Sequence, residues 1–258
     1  MNKKNICYYL IGLIFLLFSF VILSLIINDS LIFPDIITIL KKTFILLGDA
    51  TTYNYIKNTL LNLIICILLS FFIGIFLGII SGVYYRVELI LKPIFAFIRF
   101  VPIIVIIVIS MIIFGFNKSP LIACSLFLIP GIYEGTKEGV KNIDRAFIDV
   151  YKLNSNISLK VVLKVYLPLI SSYSKAKYND SIGFGLKVLV TTEYVCGLRN
   201  TIGKAILNGI ETLEYDLIYA YSIILVVLIL ILEYIPTIIS ISYAFTKKMI
   251  KKHFLSKK

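Results

Sequence analysis

The chain reads as an all-α, polytopic helical membrane protein of about six transmembrane helices with a helical cytoplasmic loop. Three observations predict this. Of 258 residues, 59% are hydrophobic and only 16% charged, outside the range of a soluble domain. The apolar residues fall in runs long enough to cross a ~30 Å hydrocarbon core. The basic residues concentrate in alternate gaps between those runs. The whole of 1–258 reads as one membrane domain, with a first span at 6–27 and a core bundle at 59–246 that carries a loop at 139–168.

The first run, Ile6 to Ile27, is apolar throughout and ends at "NDS". It lacks the short apolar core and small-residue cleavage site of a secretory signal, so it is expected to stay as a span. The second, Thr59 to Val83, carries Gly74, Gly78 and Gly82 at steps of four on one helical face. That face suits close helix packing; a glycine-lined passage is the alternative. The third, Val101 to Phe116, follows "LILKPIFAFIRF", whose Lys92, Pro93 and Arg99 suggest an interfacial helix and a start at Pro102. The fourth runs from Pro120 to about Lys137, with a kink expected at Pro130 and Gly131. The fifth, about Ser181 to Leu198, contains Lys187 and Glu193, charges too costly to face lipid. The sixth runs from Leu217 to about Ser240.

Six spans put both termini on one side. With those termini and residues 84–100 and 137–164 inside, seventeen lysines and arginines face the cytoplasm and six face the opposite side. The orientation is therefore N-in and C-in, in a cell membrane. The formal net charge of +12 then reflects loops beside anionic lipid rather than nucleic-acid binding.

The inner loop "DRAFIDVYKLNSNISLKVVLKVYLP" at 144–168 has helical periodicity. Ile143, Phe147, Val150 and Tyr151 share one face, and Asp144, Arg145, Asp149 and Lys152 the other. Asn142 or Asp144 suits its cap, and the "NSN" at 154–156 its end, since Asn154 tolerates a left-handed exit. A second short helix follows from Ser158. Such amphipathic helices either lie on the bilayer or dock into a groove of another protein, and spacing does not separate the two.

Several chemistries are excluded. The four cysteines, Cys7, Cys66, Cys124 and Cys196, are far apart in sequence, so neither a zinc site nor a redox pair is expected; they read as small buried apolar residues. The single histidine, His253, lies in the basic tail, and no nucleophile, base or metal set for an enzyme is evident. "GTKEGVK" lacks the Lys-Ser/Thr ending of a nucleotide-phosphate loop, so the chain is expected to bind neither ATP nor any other cofactor or metal.

The loop resembles the cytoplasmic coupling loop of permease subunits of binding-protein-dependent ABC importers, ending in Leu167 and Pro168. The Glu-Ala-Ala of those loops falls on Asp149, Val150 and Tyr151, and their glycine on Asn154. "FPDIITIL" at 33–40, the glycine-spaced second span, "IRFVPIIVIIVISMIIFGFNKSP" at 98–120 and "TTEYVCGLRNTIG" at 191–203 are similar, in order, to the sulfonate, taurine and nitrate type of these permeases.

The resemblance implies a non-catalytic subunit that forms a solute path by alternating access. It also implies partners: ABC ATPase subunits that use ATP, an extracytoplasmic solute-binding protein, and a second copy of the chain in a homodimer. The ATPase would meet Phe147, Asp149, Val150, Tyr151, Lys152, Leu153, Asn154 and Ser155. The path is expected at Phe100 and Pro102, where Phe100 is placed as a gate, and at Lys187 and Glu193, which either line a cavity or form a structural pair. An ion-driven carrier or a channel is the competing class, for which duplicated halves and intramembrane acids are the usual signs. No duplication is visible, and Glu193 alone suits proton carriage.

Overall fold

The computed structural model describes residues 3–27, 29, 32–143 and 167–233. These residues form nine helices and no strand: α1 Lys3–Ile27, α2 Ile36–Leu47, α3 Ala50–Val83, α4 Tyr85–Phe100, α5 Ile103–Phe114, α6 Ser119–Lys141, α7 Leu167–Cys196, α8 Ile202–Glu211 and α9 Tyr215–Glu233. The all-α membrane architecture expected from the sequence is thus observed. Helices α3 and α9 are long and apolar enough to cross a membrane, and the bent pair α4–α5 adds a third if it counts as one span.

Helix α3 starts nine residues before the apolar run does. Asp49 caps it, accepting from the Thr51 amide at 3.1 Å, which satisfies an orphan donor of the first turn. At 34 residues it is roughly 50 Å long at 1.5 Å per residue and outreaches the apolar core.

Helices α3, α6 and α7 form the core, where Leu63, Cys66, Cys124, Leu128, Ile132, Leu186 and Leu189 are buried. The glycine face of α3 is a packing seam, not a passage. A Cβ on Gly74 would lie 2.9 Å from Ile132 Cβ, one on Gly78 2.6 Å from Thr136 Cβ, and one on Gly82 2.5 Å from Val140 Cβ. Each pair is offset by 58 positions, so α3 and α6 run parallel, in register. On the other flank, α6 offers Gly131, Gly135 and Gly139 to Ser181, Lys177 and Ser174 of α7. There the numbers run in opposite directions, so α6 and α7 are antiparallel.

Parallel α3 and α6 oblige the chain between them to climb back along the bundle. Instead of a single span over Val101–Phe116, it does so in two helices that meet at 99°. The cause is Pro102, which lacks an amide and holds Val101 extended (φ −67°, ψ 130°) before α5 begins. At 12 residues, α5 reaches roughly 18 Å, too short to cross alone. It lies along α6, where the Ser119 hydroxyl donates to the Ile107 carbonyl at 3.2 Å. Pro130, where the sequence suggests a kink, lies inside α6, which continues as one helix to Lys141.

Candidate translocation path and coupling site

Between Ser181 and Cys196 most side chains of α7 are buried, yet Asp180, Phe184, Lys187 and Thr191 are exposed. Steps of four, three and four put them on one helical face. Beside the lower end of this stripe is a cleft of about 320 Å³ lined by Arg99, Gly131, Glu134, Lys177, Asp180, Ser181 and Phe184. Four of its seven residues are ionisable, two of each sign. The Arg99 guanidinium donates to the Pro130 carbonyl at 3.2 Å and lies 3.7 Å from Glu134, and Lys177 is ion-paired with Glu138.

Phe100 and Pro102 sit at the α4–α5 corner, next to Arg99. Phe100 is 85% exposed, and Pro102 is the residue before α5, its carbonyl accepting from the Val105 amide at 3.0 Å. Lys187 is exposed and Glu193 is completely buried, and no ion pair joins them.

Glu193 is instead the centre of a polar clasp. Its carboxylate accepts from Thr59 Oγ1 at 2.9 Å and from Asn62 Nδ2 at 3.0 Å, and the Gly203 amide and Thr201 hydroxyl also face it. The Thr59 hydroxyl in turn accepts from the Ile202 amide at 3.1 Å. One side chain thus ties α3, α7 and the start of α8 together. Gly203 packs directly on Glu193 with no room for a Cβ. The turn between α7 and α8 uses left-handed backbone at Gly197 (φ 62°) and Asn200 (φ 58°), the residue types that tolerate it best. Asn58 secures the turn by donating to the Asn200 carbonyl at 2.9 Å.

At the opposite end of the bundle, Glu88 of α4 receives Lys141 at 2.7 Å on both carboxylate oxygens and Lys137 at 3.5 Å. The Lys141 hydrogen bond holds the Glu88 carboxyl below its usual range, against the opposing effect of burial. Lys137 also reaches Glu134 at 3.4 Å. These ties bind α4 to the last turns of α6, where Ile143 is buried in a cluster with Ile79, Val140 and Ile170.

The residues expected to meet an ATPase, Phe147 to Ser155, lie outside the described residues. Their two anchors do not, for Ile143 ends the segment before the loop and Ile170 lies in the first turn of α7 after it. Both are in the same apolar cluster.

From residue 74 to 242, more than half of the chain, the sequence matches the family model of the binding-protein-dependent transport system inner membrane component. The chain belongs to this family. The match begins at the α3 glycine seam, takes in the loop after α6 and the whole of α7 and α8, and extends beyond α9. Members of the family are membrane components of transport systems that depend on a binding protein, which agrees with the apolar helices seen here. No curated protein matches the chain.

Sequence reasoning missed the glycine seam of α6. Its signal was present as "GIYEGTKEG", with glycines at steps of four, but the intervening Glu134, Lys137 and Glu138 obscured it. It also missed Thr59 and Asn62, which read as the polar edge of a span rather than as ligands of a buried carboxylate.

Proposed function

We propose that this chain is the permease subunit of an ATP-driven importer and that the solute path runs along the exposed stripe of α7. The observation that carries this is Asp180, Phe184, Lys187 and Thr191 exposed on one face of a helix whose other described side chains are buried or half-buried. Charged groups at that depth are too costly against lipid and mark a water-filled route or a partner surface. The cleft at Arg99, Lys177 and Asp180 continues the stripe towards the α4–α5 corner, and Phe100 and Pro102, which follow Arg99 in the chain, are assigned to the path with it. Glu193 supports the route from behind by fixing α7 to α3 and α8.

Coupling to an ATPase runs through Phe147, Asp149, Val150, Tyr151, Lys152, Leu153, Asn154 and Ser155. The reading is supported by the anchoring of both ends of that loop in one cluster with α3, so that a push on it moves α6 and α7 relative to one another. ATP is hydrolysed by the partner subunits, a binding protein delivers the solute, and two copies of the chain face one another across the path. Both termini are cytoplasmic on the distribution of basic residues. The order of sequence features from 33 to 240 supports a solute of the sulfonate, taurine or nitrate class.

Proteoliposomes containing the chain, its ATPase and its binding protein test this. Uptake is expected to require ATP, to ignore the membrane potential, and to fall at least tenfold in Asp180→Ala and Lys187→Ala while the subunits still co-purify. Uptake that follows an imposed ion gradient without ATP would instead establish the ion-driven carrier.

A further inference from the structure

Asp180 and Lys187 carry opposite charges on the exposed face of α7, about two helical turns apart, or roughly 10 Å at 1.5 Å per residue. No ion pair joins them, and neither side chain has an ionic or hydrogen-bonding partner among the described residues. The charges around them are paired within the chain. Arg99 lies beside Glu134, Lys137 reaches Glu134 and Glu88, and Lys177 is paired with Glu138.

Glu233, the last residue of α9, adds a second open carboxylate. It is half-buried and lies against the bare backbone of Gly183, where a Cβ would collide with it. Gly183 falls between Asp180 and Lys187 along α7, and Glu233 likewise has no partner among the described residues. Beside the stripe, a recess of about 330 Å³ lined by Phe127, Leu128, Pro130 and Phe184 shares Arg99, Gly131 and Ser181 with the charged cleft. Two open carboxylates, one open ammonium and an apolar recess thus border a single stretch of α7.

We infer that the solute is a short zwitterion, with its ammonium group seated at Asp180 and Glu233 and its acid group at Lys187. The inference rests on the path proposed above and narrows the solute that it carries. Unpaired charges at this depth are costly until something of opposite charge meets them. A simple anion is drawn to Lys187 but repelled by the two carboxylates, and a simple cation meets the reverse. Only a solute with both charges satisfies both ends, so selection works by repulsion as well as attraction. Two copies related by an axis along the path place both Lys187 side chains at one level and both Asp180 side chains at another. The field then keeps one direction along the path, and the solute lies end-on in it.

Ligand-observed saturation-transfer NMR on the full chain with its ATPase in nanodiscs tests this with three probes. These are 2-aminoethanesulfonate, and ethanesulfonate and ethylammonium, each of which keeps one of its two charged ends. The zwitterion is expected to bind roughly tenfold more tightly than either. Asp180→Asn combined with Glu233→Gln should bring it down to the level of ethanesulfonate, while ethanesulfonate itself binds that variant better than the parent because the repulsion is gone. Lys187→Gln should in the same way weaken the zwitterion and improve ethylammonium. These gains separate lost recognition from lost folding, since a misfolded protein shows none. Equal binding of the three probes, preference for a singly charged one, no binding of any, or unchanged affinities in the variants would overturn the inference, and ATP-driven uptake would still support the path. Uptake that needs no ATP, with the zwitterion still preferred, would remove the ATP-driven importer and leave the zwitterion site standing.

Discussion

The two flanks of α6 are built from the same device and to different ends. Towards α3 the glycines belong to the neighbouring helix, and they receive Ile132, Thr136 and Val140 in a parallel register. Towards α7 the glycines belong to α6 itself, and they receive Ser181, Lys177 and Ser174 in an antiparallel one. The first flank fits branched side chains against bare backbone, with no slack. The second receives mainly polar and flexible groups, with the branched Ile170 beside Ser174 at Gly139. Without a hydrophobic driving force between helices in lipid, close packing and hydrogen bonds hold such pairs together. The contrast indicates that α3 and α6 form the tighter block, and under the proposed function the α6–α7 contact is the joint on which a push from the ATPase would act.

Overpacking each seam is the most direct way to break the comparison. Gly78→Leu would drive a side chain into Thr136, whose Cβ is already 2.6 Å from where the new Cβ must go, with the Tyr133 carbonyl 2.9 Å away. Backbone cannot yield as a side chain can. The expected cost is about 3 kcal/mol, the upper end for overpacking, seen as loss of the folded peak in detergent size exclusion or a large drop in Tm. A Gly78→Leu protein as stable as the parent would mean that the α3–α6 block is not rigid.

Next in size is the clasp at the far end. Glu193→Ala strips Thr59 and Asn62 of their acceptor and leaves the Gly203 amide facing no carboxylate, and buried groups left without partners cost about 1–3 kcal/mol. Proteolysis at the α7–α8 turn should accelerate well before global unfolding does, because the bonds from Asn58 to Asn200 and from the Ile202 amide to Thr59 are then left to hold that turn to α3. If turn cleavage and global unfolding shift together, Glu193 stabilises the whole bundle and not the α7–α8 connection in particular.

The second flank should tolerate more. In Gly135→Ala the new Cβ meets Lys177 Cβ at 3.2 Å and Tyr178 Cε1 at 3.4 Å, distances that small side-chain shifts relieve. The stability change is expected to stay below about 1 kcal/mol, yet stiffening the joint should slow ATP-driven uptake. Equal loss of stability in Gly135→Ala and Gly78→Leu would erase the distinction between the two flanks.

How much of this was legible depends on whether the partner of a residue lies on its own helix. The α3 glycines could be read because steps of four on one helix are visible in one stretch of sequence, and the Pro102 helix start was legible because proline acts locally. The reading of the cysteines as small buried apolar residues holds for Cys66, Cys124 and Cys196, but the parallel register of α3 and α6 that puts Cys66 and Cys124 at the same offset as the glycine seam is encoded by no local pattern. The same holds for Glu193, whose ligands come from residues more than 130 positions earlier. Lys187 and Glu193 share a helix and were considered as a pair, but six residues of helix turn them about 120° away from facing alike at 3.6 residues per turn: one is on the exposed stripe and the other in the core.

The smallest effect expected is at the inner end, where Glu88 ties α4 to α6. The Lys141 hydrogen bond keeps the Glu88 carboxyl below its usual range, so the folded protein binds this proton less readily than the unfolded chain. Stability from the tie is therefore fully present above the unfolded value, about pH 4.3, and is lost as pH falls through the lower, folded one. Lys141 is well exposed, so solvent and salt screen the contribution. Unfolding of the purified protein followed from pH 7 to pH 3 should show wild type and Glu88→Gln converging at the acid end and separating slightly above pH 4.3, less so in high salt. Curves that stay parallel over the whole range would show that Lys141 and Lys137 meet Glu88 without stabilising the α4–α6 contact, leaving the stacking of Phe95 on Tyr133, ring centres 4.2 Å apart, to hold the α4–α5 corner against the joint.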